Sequence, residues 1–169
     1  MKDNTVLTPH FKLREFTESA TAMKQGIANV PPPEAVENLK RLCIGTLEPL
    51  REKLQQPVVI TSGYRCQQLN EIIVHAARKS QHLTGQAADF YVAGIAGQAC
   101  NEASHRELLI QAFRLIITDE SIDFDQLILY PTFIHVSYVS KERNRHQLTR
   151  ASANGAYTAL SRADALALS

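Results

Sequence analysis

The sequence predicts an α+β fold in which helices pack on one face of a small, mainly antiparallel sheet. Three features favour this class. Apolar residues recur at spacings of three and four between residues 36 and 54, as in an amphipathic helix. A β-branched run follows at residues 57–61, which is typical of a buried strand. Further along, two alternating stretches flank Pro131 and Thr132, as in a β-hairpin.

The chain has 169 residues, of which 44% are hydrophobic. These values predict one domain over residues 1–169, with an N-terminal arm at 1–30 and a C-terminal tail at 151–169 that is either a short helix or a frayed segment. The 18 basic and 17 acidic residues give a net charge of +1, which argues against a general nucleic-acid binder. The sequence contains no run of about 18 apolar residues, so we expect no membrane span. We expect a monomer.

The first residues of the chain and its cysteines indicate a compartment. Residues 1–5 are polar and lack the apolar core of a signal peptide. We therefore expect synthesis in the cytoplasm, with any export by another route. Cys43, Cys66 and Cys100 show no paired spacing, which indicates free thiols in a reducing compartment.

The first third of the chain is expected to form an arm and a long helix. Apolar residues in the segment 11–16 anchor the arm on the domain. Residues 36–54 then form the amphipathic helix, which has one apolar stripe. Gly45 and Pro49 both weaken this helix, and a proline inside a helix costs about 3 kcal/mol. A kink is therefore expected near Glu48.

The strand at residues 57–61 leads into a turn at residues 62–65. An arginine on a turn at the end of a strand is well placed to bind a carboxylate through two parallel hydrogen bonds. From the residues alone, a surface ion pair accounts for Arg65 equally well. A helix is expected at residues 67–77, and His75 is expected either to be exposed or to add a polar group to a site formed by the segment that follows.

The segment from Ser80 to Phe90 contains a histidine and an aspartate seven residues apart, His82 and Asp89, with Gly85 between them. Gly85 can adopt a positive φ at no steric cost, and a turn centred there brings the two side chains together. One nitrogen and one oxygen are too few for catalytic zinc, which usually takes three protein ligands and keeps a position for water. A third ligand is therefore expected, and His135 is the candidate because its alternating stretch turns one face to the site.

A helix and a hairpin separate Asp89 from His135 in sequence. A capping box at residues 104–107 is expected to start the helix, whose apolar side belongs to the core. A turn at the centre of the hairpin pairs Ile128 with His135. Because side chains alternate along a strand, Gln126 and Tyr130 share the face of His135, whereas Asp125 points away.

Several of these segments resemble a known family of zinc metallopeptidases. The likeness lies in Ser80, His82, Gly85, Ala87, Asp89 and His135, together with residues 62–65, 125–128 and 143–145. That family cuts D-alanyl-D-alanine or L-alanyl-D-glutamate bonds in bacterial cell-wall peptides, and the chain is similar to its compact branch from phage and bacterial genomes. The resemblance runs from about Phe11 to Arg150 and implies a hedgehog/DD-peptidase-like fold whose sheet carries the zinc site.

The resemblance also implies roles for individual residues. It implies that Zn²⁺ is bound by His82, Asp89 and His135. Arg65 is then expected to bind the acidic group of the peptide or the oxygen that becomes negative during hydrolysis. Ser80 is expected to support this anion site, and Gln81 to orient a ligand or the water. The implied function is hydrolysis of peptidoglycan stem peptides, as a D,D-carboxypeptidase or an L,D-endopeptidase.

The chain departs from the family at the general base. Relatives carry an acidic residue where this chain has Thr132 or, in the compact branch, near Tyr130, and neither residue is acidic here. Asp125 is the nearest carboxylate in sequence and is the candidate base if a β-bulge turns it toward the metal, with Asp123 as a second candidate. Tyr130 has a reference pKa of about 10, which makes it a poor base, and it is expected to hydrogen-bond the oxyanion.

Two other functions stay open. One is a catalytically silent homologue that holds zinc and binds a wall fragment or a protein partner. The other is a structural zinc site with a fourth protein ligand, which contributes folding energy. The chain also carries a basic run that is either a solvated face or a surface that steers acidic peptides. The run consists of Lys141, Arg143, Arg145, His146 and Arg150.

Overall fold

The computed structural model describes residues 4–73, 77–94 and 101–168, so that His75 and Cys100 lie outside the described residues. Eight strands lie within these ranges: β1 (Val6–Thr8), β2 (Phe11–Lys12), β3 (Val58–Ser62), β4 (Ala87–Val92), β5 (Gln126–Leu129), β6 (Ile134–Ser137), β7 (Gln147–Ala151) and β8 (Tyr157–Ala159). The α-helices in the same ranges are α1 (Leu13–Thr17), α2 (Ala20–Gln25), α3 (Pro33–Leu42), α4 (Glu48–Leu54), α5 (Gln67–Ile72), α6 (Glu102–Thr118) and α7 (Arg162–Ala167). A π-helical turn (Cys43–Leu47) and a 3-10 turn (Gln81–Thr84) complete the helical segments.

Six of the strands form one sheet, in the order β3-β4-β6-β5-β7-β8. Neighbouring strands run antiparallel except for β5 and β7, which are parallel. The strands β1 and β2 form a separate antiparallel pair. The α+β class and the mainly antiparallel sheet are therefore confirmed.

The predicted hairpin register is also confirmed. Ile128 of β5 lies opposite His135 of β6, and His135 lies opposite Asp89 of β4. On the other side, Ile128 is paired with Thr149 of β7. Because residues that face each other across a sheet point to the same side, this row crosses four strands and carries two of the expected ligands on one face.

The core lies on the opposite face of the sheet. The adjacent row of paired residues, Ala88, Val136 and Leu127, is fully buried. Helix α6 packs on β4 and β5 from this side and inserts Phe113 into the same hydrophobic cluster. Burial of a large apolar side chain contributes about 1.5–3 kcal/mol, so this face holds the sheet to the helix and leaves the other face available for polar residues.

The long helix predicted at residues 36–54 is present. Near Glu48, where a kink was expected, it contains a π-helical turn that ends directly before this residue. Pro49 has no N–H to donate to the carbonyl oxygen of Gly45, which is four residues earlier. The Gly45 oxygen instead accepts a hydrogen bond from the amide of Asp123 at 2.9 Å. Tyr138 packs so closely that a Cβ at Gly45 would lie 2.6 Å from its ring. The turn is thus stabilised by tertiary contacts.

Two predicted helix boundaries are wrong. Helix α5 ends at Ile72, before the expected end at residue 77, because Ile73 adopts an extended conformation. Helix α6 begins at Glu102, before the predicted capping box. The side chain of Asn101 caps it by accepting hydrogen bonds from the amide of Ser104, at 2.9 Å, and from the Ser104 hydroxyl, at 3.0 Å.

Both ends of the described chain pack on the core. Phe11 and Phe16 of the N-terminal arm are buried in the hydrophobic cluster. The carbonyl oxygen of Phe16 accepts a hydrogen bond from the amide of Tyr64 at 2.7 Å. In the C-terminal segment, α7 buries Ala165 in the same cluster. The arm is thus fixed directly beside the turn that carries Arg65.

Candidate metal centre

The 3-10 turn at residues 81–84 positions His82. Ser80 caps this turn by accepting a hydrogen bond from the amide of His82, at 3.4 Å. Gly85 ends the turn with φ of +71°, as the sequence predicted, and its N–H donates to His82 and Gln81 carbonyl oxygens. The turn packs so closely on α3 that a Cβ at Gly85 would lie 2.3 Å from the carbonyl oxygen of Ala35. A tight reversal therefore brings His82 onto the sheet.

The ring of His82 is held by a backbone acceptor. Its Nδ1 lies 2.6 Å from the carbonyl oxygen of Gly63. Since a carbonyl oxygen only accepts, Nδ1 carries the hydrogen and Nε2 carries the lone pair in the neutral ring. The Nε2 atom faces the other two expected ligands. A hydrogen bond of this kind is the usual way in which a metal-binding histidine is oriented.

The structure brings His82, Asp89 and His135 together. The Nε2 atom of His82 lies 3.3 Å from Nδ1 of His135 and 3.3 Å from Oδ1 of Asp89. The Nδ1 atom of His135 lies 2.8 Å from the same Asp89 oxygen. One atom from each of the three residues lies within 4.8 Å of the other two. All three predicted ligands thus converge on one point.

These separations fit a zinc ion. A tetrahedral ion with bonds of about 2.0–2.1 Å holds its donor atoms about 3.3 Å apart. Two of the three measured separations have this value, and the third is shorter because His135 and Asp89 share a hydrogen bond. Two imidazoles and one carboxylate form a donor set that suits a catalytic zinc. Among the described residues, the group holds three such ligands, the number that a catalytic zinc usually takes from the protein.

The charges of the group also suit a metal. Burial lowers the pKa of His82, which keeps the ring neutral and its lone pair available. Burial alone raises the pKa of Asp89, but the neighbouring rings of His82 and His135 outweigh this effect, and the pKa is well below its ordinary value. The aspartate is therefore ionised. A neutral imidazole and a carboxylate are the forms that bind zinc.

Arg65 lies beside the metal centre. Its amide donates to the carbonyl oxygen of His82 at 3.1 Å, and its Nη2 lies 3.4 Å from Oγ of Ser80. Burial lowers the pKa of Arg65, while the charge of Asp89 opposes this shift. The Nε of Arg65 is buried and has no hydrogen-bond partner among the described residues. A buried donor without a partner indicates a ligand that accepts from it.

Asp125 lines the same groove as the metal ligands, although the register places it on the opposite face. Asp125 directly precedes β5, and the alternation of side chains need not hold outside the strand. Its carboxylate accepts from Nε and Nη2 of Arg145, at 2.9 and 2.6 Å, and from Nε2 of Gln81, at 2.9 Å. Burial alone raises the pKa of Asp125, but these hydrogen bonds outweigh it and lower the pKa to about 2. The side chain of Gln81 is thus held toward Asp125.

The other candidate base, Asp123, has partners away from the ligands. Its carboxylate accepts from the side-chain amide of Asn144 at 2.9 Å and from the ring of His146 at 2.7 Å. The backbone of Asp123 binds the π-helical turn. Asp123 therefore joins the loop after β6 to the long helix.

Aromatic residues line another part of the groove. Tyr130 stacks on Phe133 with ring centroids 4.2 Å apart. The Tyr130 hydroxyl is hydrogen-bonded to the hydroxyl of Tyr157 at 2.9 Å. Burial and this hydrogen bond raise the pKa of Tyr130, so the phenol is neutral. Sequence analysis did not single out Tyr157, because its contact with Tyr130 depends on the pairing of β7 with β5 and of β8 with β7.

The groove has a volume of about 1360 Å³. Among the described residues that line it, Asp89 and Asp125 are the two carboxylates. The lining cations are Arg65, Lys79, Arg143 and Arg145. Sequence analysis singled out the basic run that includes two of these arginines, but it gave no indication that Arg145 pairs with Asp125. His75 lies outside the described residues.

Comparison with known proteins identifies the family. A family model described as peptidase M15 matches residues 9–117, which include His82 and Asp89. None of the curated proteins matches the chain. Of the helices that the structure describes, none has the length and apolar character required to cross a membrane. The match spans more than half of the chain and ends before His135, which the sheet register adds to the site. The chain belongs to the peptidase M15 family, whose members are zinc-dependent peptidases.

Proposed function

We propose that this chain is a zinc-dependent peptidase that hydrolyses peptide bonds in peptidoglycan stem peptides, as a D,D-carboxypeptidase or an L,D-endopeptidase. One observation carries the proposal: His82, Asp89 and His135 converge in a chain of the peptidase M15 family. The surplus of cations in the groove supports an acidic peptide as substrate. Action on the wall then follows release or export of the protein.

The residues around the ligands supply binding and orientation. Zinc, when bound, polarises the scissile carbonyl and lowers the pKa of a water molecule. Arg65 binds the carboxylate of the peptide or the developing oxyanion, and its buried Nε provides a donor for it. Ser80 positions that guanidinium through its hydroxyl. Gln81 directly precedes His82, and from its position against Asp125 its side chain is proposed to orient the water. Tyr130 is proposed to donate a hydrogen bond to the substrate oxyanion.

Asp125 remains the proposed proton acceptor, because it is the one carboxylate besides Asp89 among the described residues of the groove. The environment of Asp125 opposes this function, since its bonds to Arg145 leave a carboxylate with a pKa of about 2, a weak base, and its backbone lies three residues along β5 from Ile128, the partner of the ligand His135. This observation favours a second candidate function, in which the chain is a catalytically silent homologue that holds zinc and binds a wall fragment or a protein partner.

The test is zinc content and hydrolysis of a panel of muropeptides, read by mass spectrometry. We expect the wild-type protein to bind one zinc per chain and His82→Ala to lose both zinc and cleavage. The matched control is His105→Gln, because His105 does not line the groove and its ring bonds a backbone oxygen, that of Thr132, at 2.8 Å. Zinc without cleavage supports the silent homologue. Absence of zinc binding in the wild type overturns both candidates.

A further inference from the structure

The groove extends along β5 to both sides of the metal ligands. Ile128 lies opposite the ligand His135. Asp125, three residues before Ile128, and Tyr130, two residues after it, both line the groove. At about 3.3 Å per residue, these positions lie about 10 Å and about 7 Å from the ligand row. The groove therefore accommodates a peptide that continues past the metal centre.

The two ends of the groove differ in chemistry. Tyr130, Phe133 and Tyr157 make the end after Ile128 aromatic. The end at Asp125 is basic, because Arg145 bonds Asp125 there and Arg143, two residues earlier in the chain, also lines the groove. A peptide bound along β5 thus meets an aromatic surface on one side of the metal centre and cationic side chains on the other.

Asp125 fixes Arg145 in this basic end. The carboxylate is nearly fully buried, with 1% of its side chain exposed, whereas 57% of the Arg145 side chain is exposed. The bonds to Asp125 use Nε and Nη2, and the backbone amide of Arg145 donates to the same carboxylate at 2.9 Å. The Nη1 atom of Arg145 makes no hydrogen bond within the described residues. Its donors are therefore available to a ligand in an orientation that is already set.

Arg143 adds a second cation at the same end. Its side chain lines the groove and has no hydrogen-bond or ion-pair partner within the described ranges 4–73, 77–94 and 101–168. The negative charge of Asp125 is already neutralised by Arg145. The basic end thus carries about one positive charge that no described carboxylate balances.

We propose that Arg143 and Arg145 form a subsite for a carboxylate of the peptide at the Asp125 end of the groove, where the backbone of Asp125 lies about 10 Å along β5 from the row of Ile128 and His135. The subsite is separate from Arg65, which lies beside the ligands. It selects an acidic peptide longer than a dipeptide. Asp125 acts here as a positioning residue, because it sets the orientation of Arg145. The position of the cleaved bond rests on the proposed function, whereas the recognition of a carboxylate does not.

The test is the affinity for two forms of a synthetic stem pentapeptide that is amidated at its C-terminus. One form has a free glutamate carboxylate, and the other has the amide at that position. Isothermal titration calorimetry with zinc-loaded and metal-free protein measures binding without requiring turnover. We expect the acidic form to bind about tenfold more tightly, as for a hydrogen bond to a charged group, and salt to reduce the difference.

Variants test whether the two arginines cause the preference for the acidic peptide over the amide. We expect Arg143→Gln to reduce the preference and the double variant Arg143→Gln/Arg145→Gln to abolish it. The matched control is Lys141→Gln, which removes an exposed charge from the same loop but does not line the groove. Since Arg145 supports Asp125, thermal unfolding checks the fold of each variant, and the single Arg143 variant tests the subsite without touching that pair.

The outcomes decide the inference. Equal affinity of wild type for the two peptides overturns it, as does a preference that persists in the double variant. An equal loss in Lys141→Gln also overturns it, because that result indicates a general charge effect. If the preference follows the arginines but the protein binds no zinc, the subsite stands and the proposed peptidase function fails.

Discussion

The Nδ1 atom of His82 donates a hydrogen bond to the carbonyl oxygen of Gly63 at 2.6 Å. This bond connects the 3-10 turn that carries the first ligand to the turn that carries Arg65. Gly63 in turn packs against the N-terminal arm, since a Cβ there would lie 2.6 Å from the Cα of Phe16. The orientation of the ligand ring therefore depends on three segments that are far apart in sequence.

This bond predicts the tautomer of His82. In the metal-free protein at neutral pH, we expect the hydrogen on Nδ1 and a lone pair on Nε2, because the carbonyl oxygen of Gly63 only accepts. Long-range ¹H–¹⁵N correlation spectra of the histidine rings distinguish the two tautomers. His82→Ala identifies the signals of this ring. A hydrogen on Nε2 contradicts the assignment of that atom as a zinc ligand.

Gly85 is predicted to be sensitive to substitution. Gly85→Ala places a side chain at φ of +71° and 2.3 Å from the carbonyl oxygen of Ala35. We expect a loss of about 2–4 kcal/mol in the free energy of unfolding, together with weaker zinc binding, because the turn that carries His82 must move.

The matched control for this prediction is Gly26→Ala. Gly26 has a similar φ of +65°, but no atom lies within 4 Å of the added Cβ. Its cost is limited to the backbone conformation, about 1 kcal/mol. Urea unfolding measures both variants. Equal costs would show that the contact with α3 does not constrain the turn.

Binding of the peptide is predicted to require the guanidinium group of Arg65 and not only its positive charge. Arg65→Lys retains the charge but removes the planar pair of donors, including the buried Nε. We expect binding or kcat/KM for stem peptides to fall at least about tenfold, as for a lost charge-assisted hydrogen bond. Zinc content, measured on the same preparation, is expected to stay at one per chain. Unchanged peptide affinity argues against an anion site at Arg65.

The pair formed by Asp125 and Arg145 predicts a pH-dependent part of the stability. The pKa of Asp125 is lowered in the folded state to about 2, so the unfolded chain takes up the proton first as the pH falls. The contribution of the pair is therefore fully present above about pH 4 and is lost as the pH falls toward 2. Arg145→Gln is expected to cost about 2 kcal/mol at pH 7 and less at pH 3.

Urea unfolding at the two pH values measures this change. Arg143→Gln is the control, because its side chain has no partner within the described part of the chain and its removal is expected to change stability by less than about 0.5 kcal/mol. A cost of Arg145→Gln that is the same at both pH values would show that the ionised carboxylate does not contribute through this pair.

Local sequence patterns predicted those features whose physical cause lies within a few neighbouring residues. The alternation on either side of Pro131 set the pairing of Ile128 with His135, since a tight turn fixes the register of its strands. Gly85 marked the reversal between His82 and Asp89 because a positive φ favours glycine. The family resemblance supplied the ligand set, and its match to residues 9–117 shows the family.

The tertiary structure decided what depends on distant segments. Helix α6 begins at Glu102, before the predicted capping box, because the side chain of Asn101 provides an earlier cap. The environment of Asp125 was also not readable from the sequence. Its partners Gln81 and Arg145 are 44 and 20 residues away, and the carboxylate meets them only after the sheet forms.

The sequence by itself determined the fold class and the hairpin register, because spacing, alternation and turn residues act over short stretches of chain, and its resemblance to the family supplied the three candidate ligands. Only the tertiary structure decided that Gly63 orients His82, that Arg145 neutralises Asp125 and that Tyr157 reaches Tyr130. These contacts join segments that are distant in sequence, and no periodic pattern of residue types along the chain predicts them. They arise when burial of the core brings the other face of the sheet and its surrounding loops together.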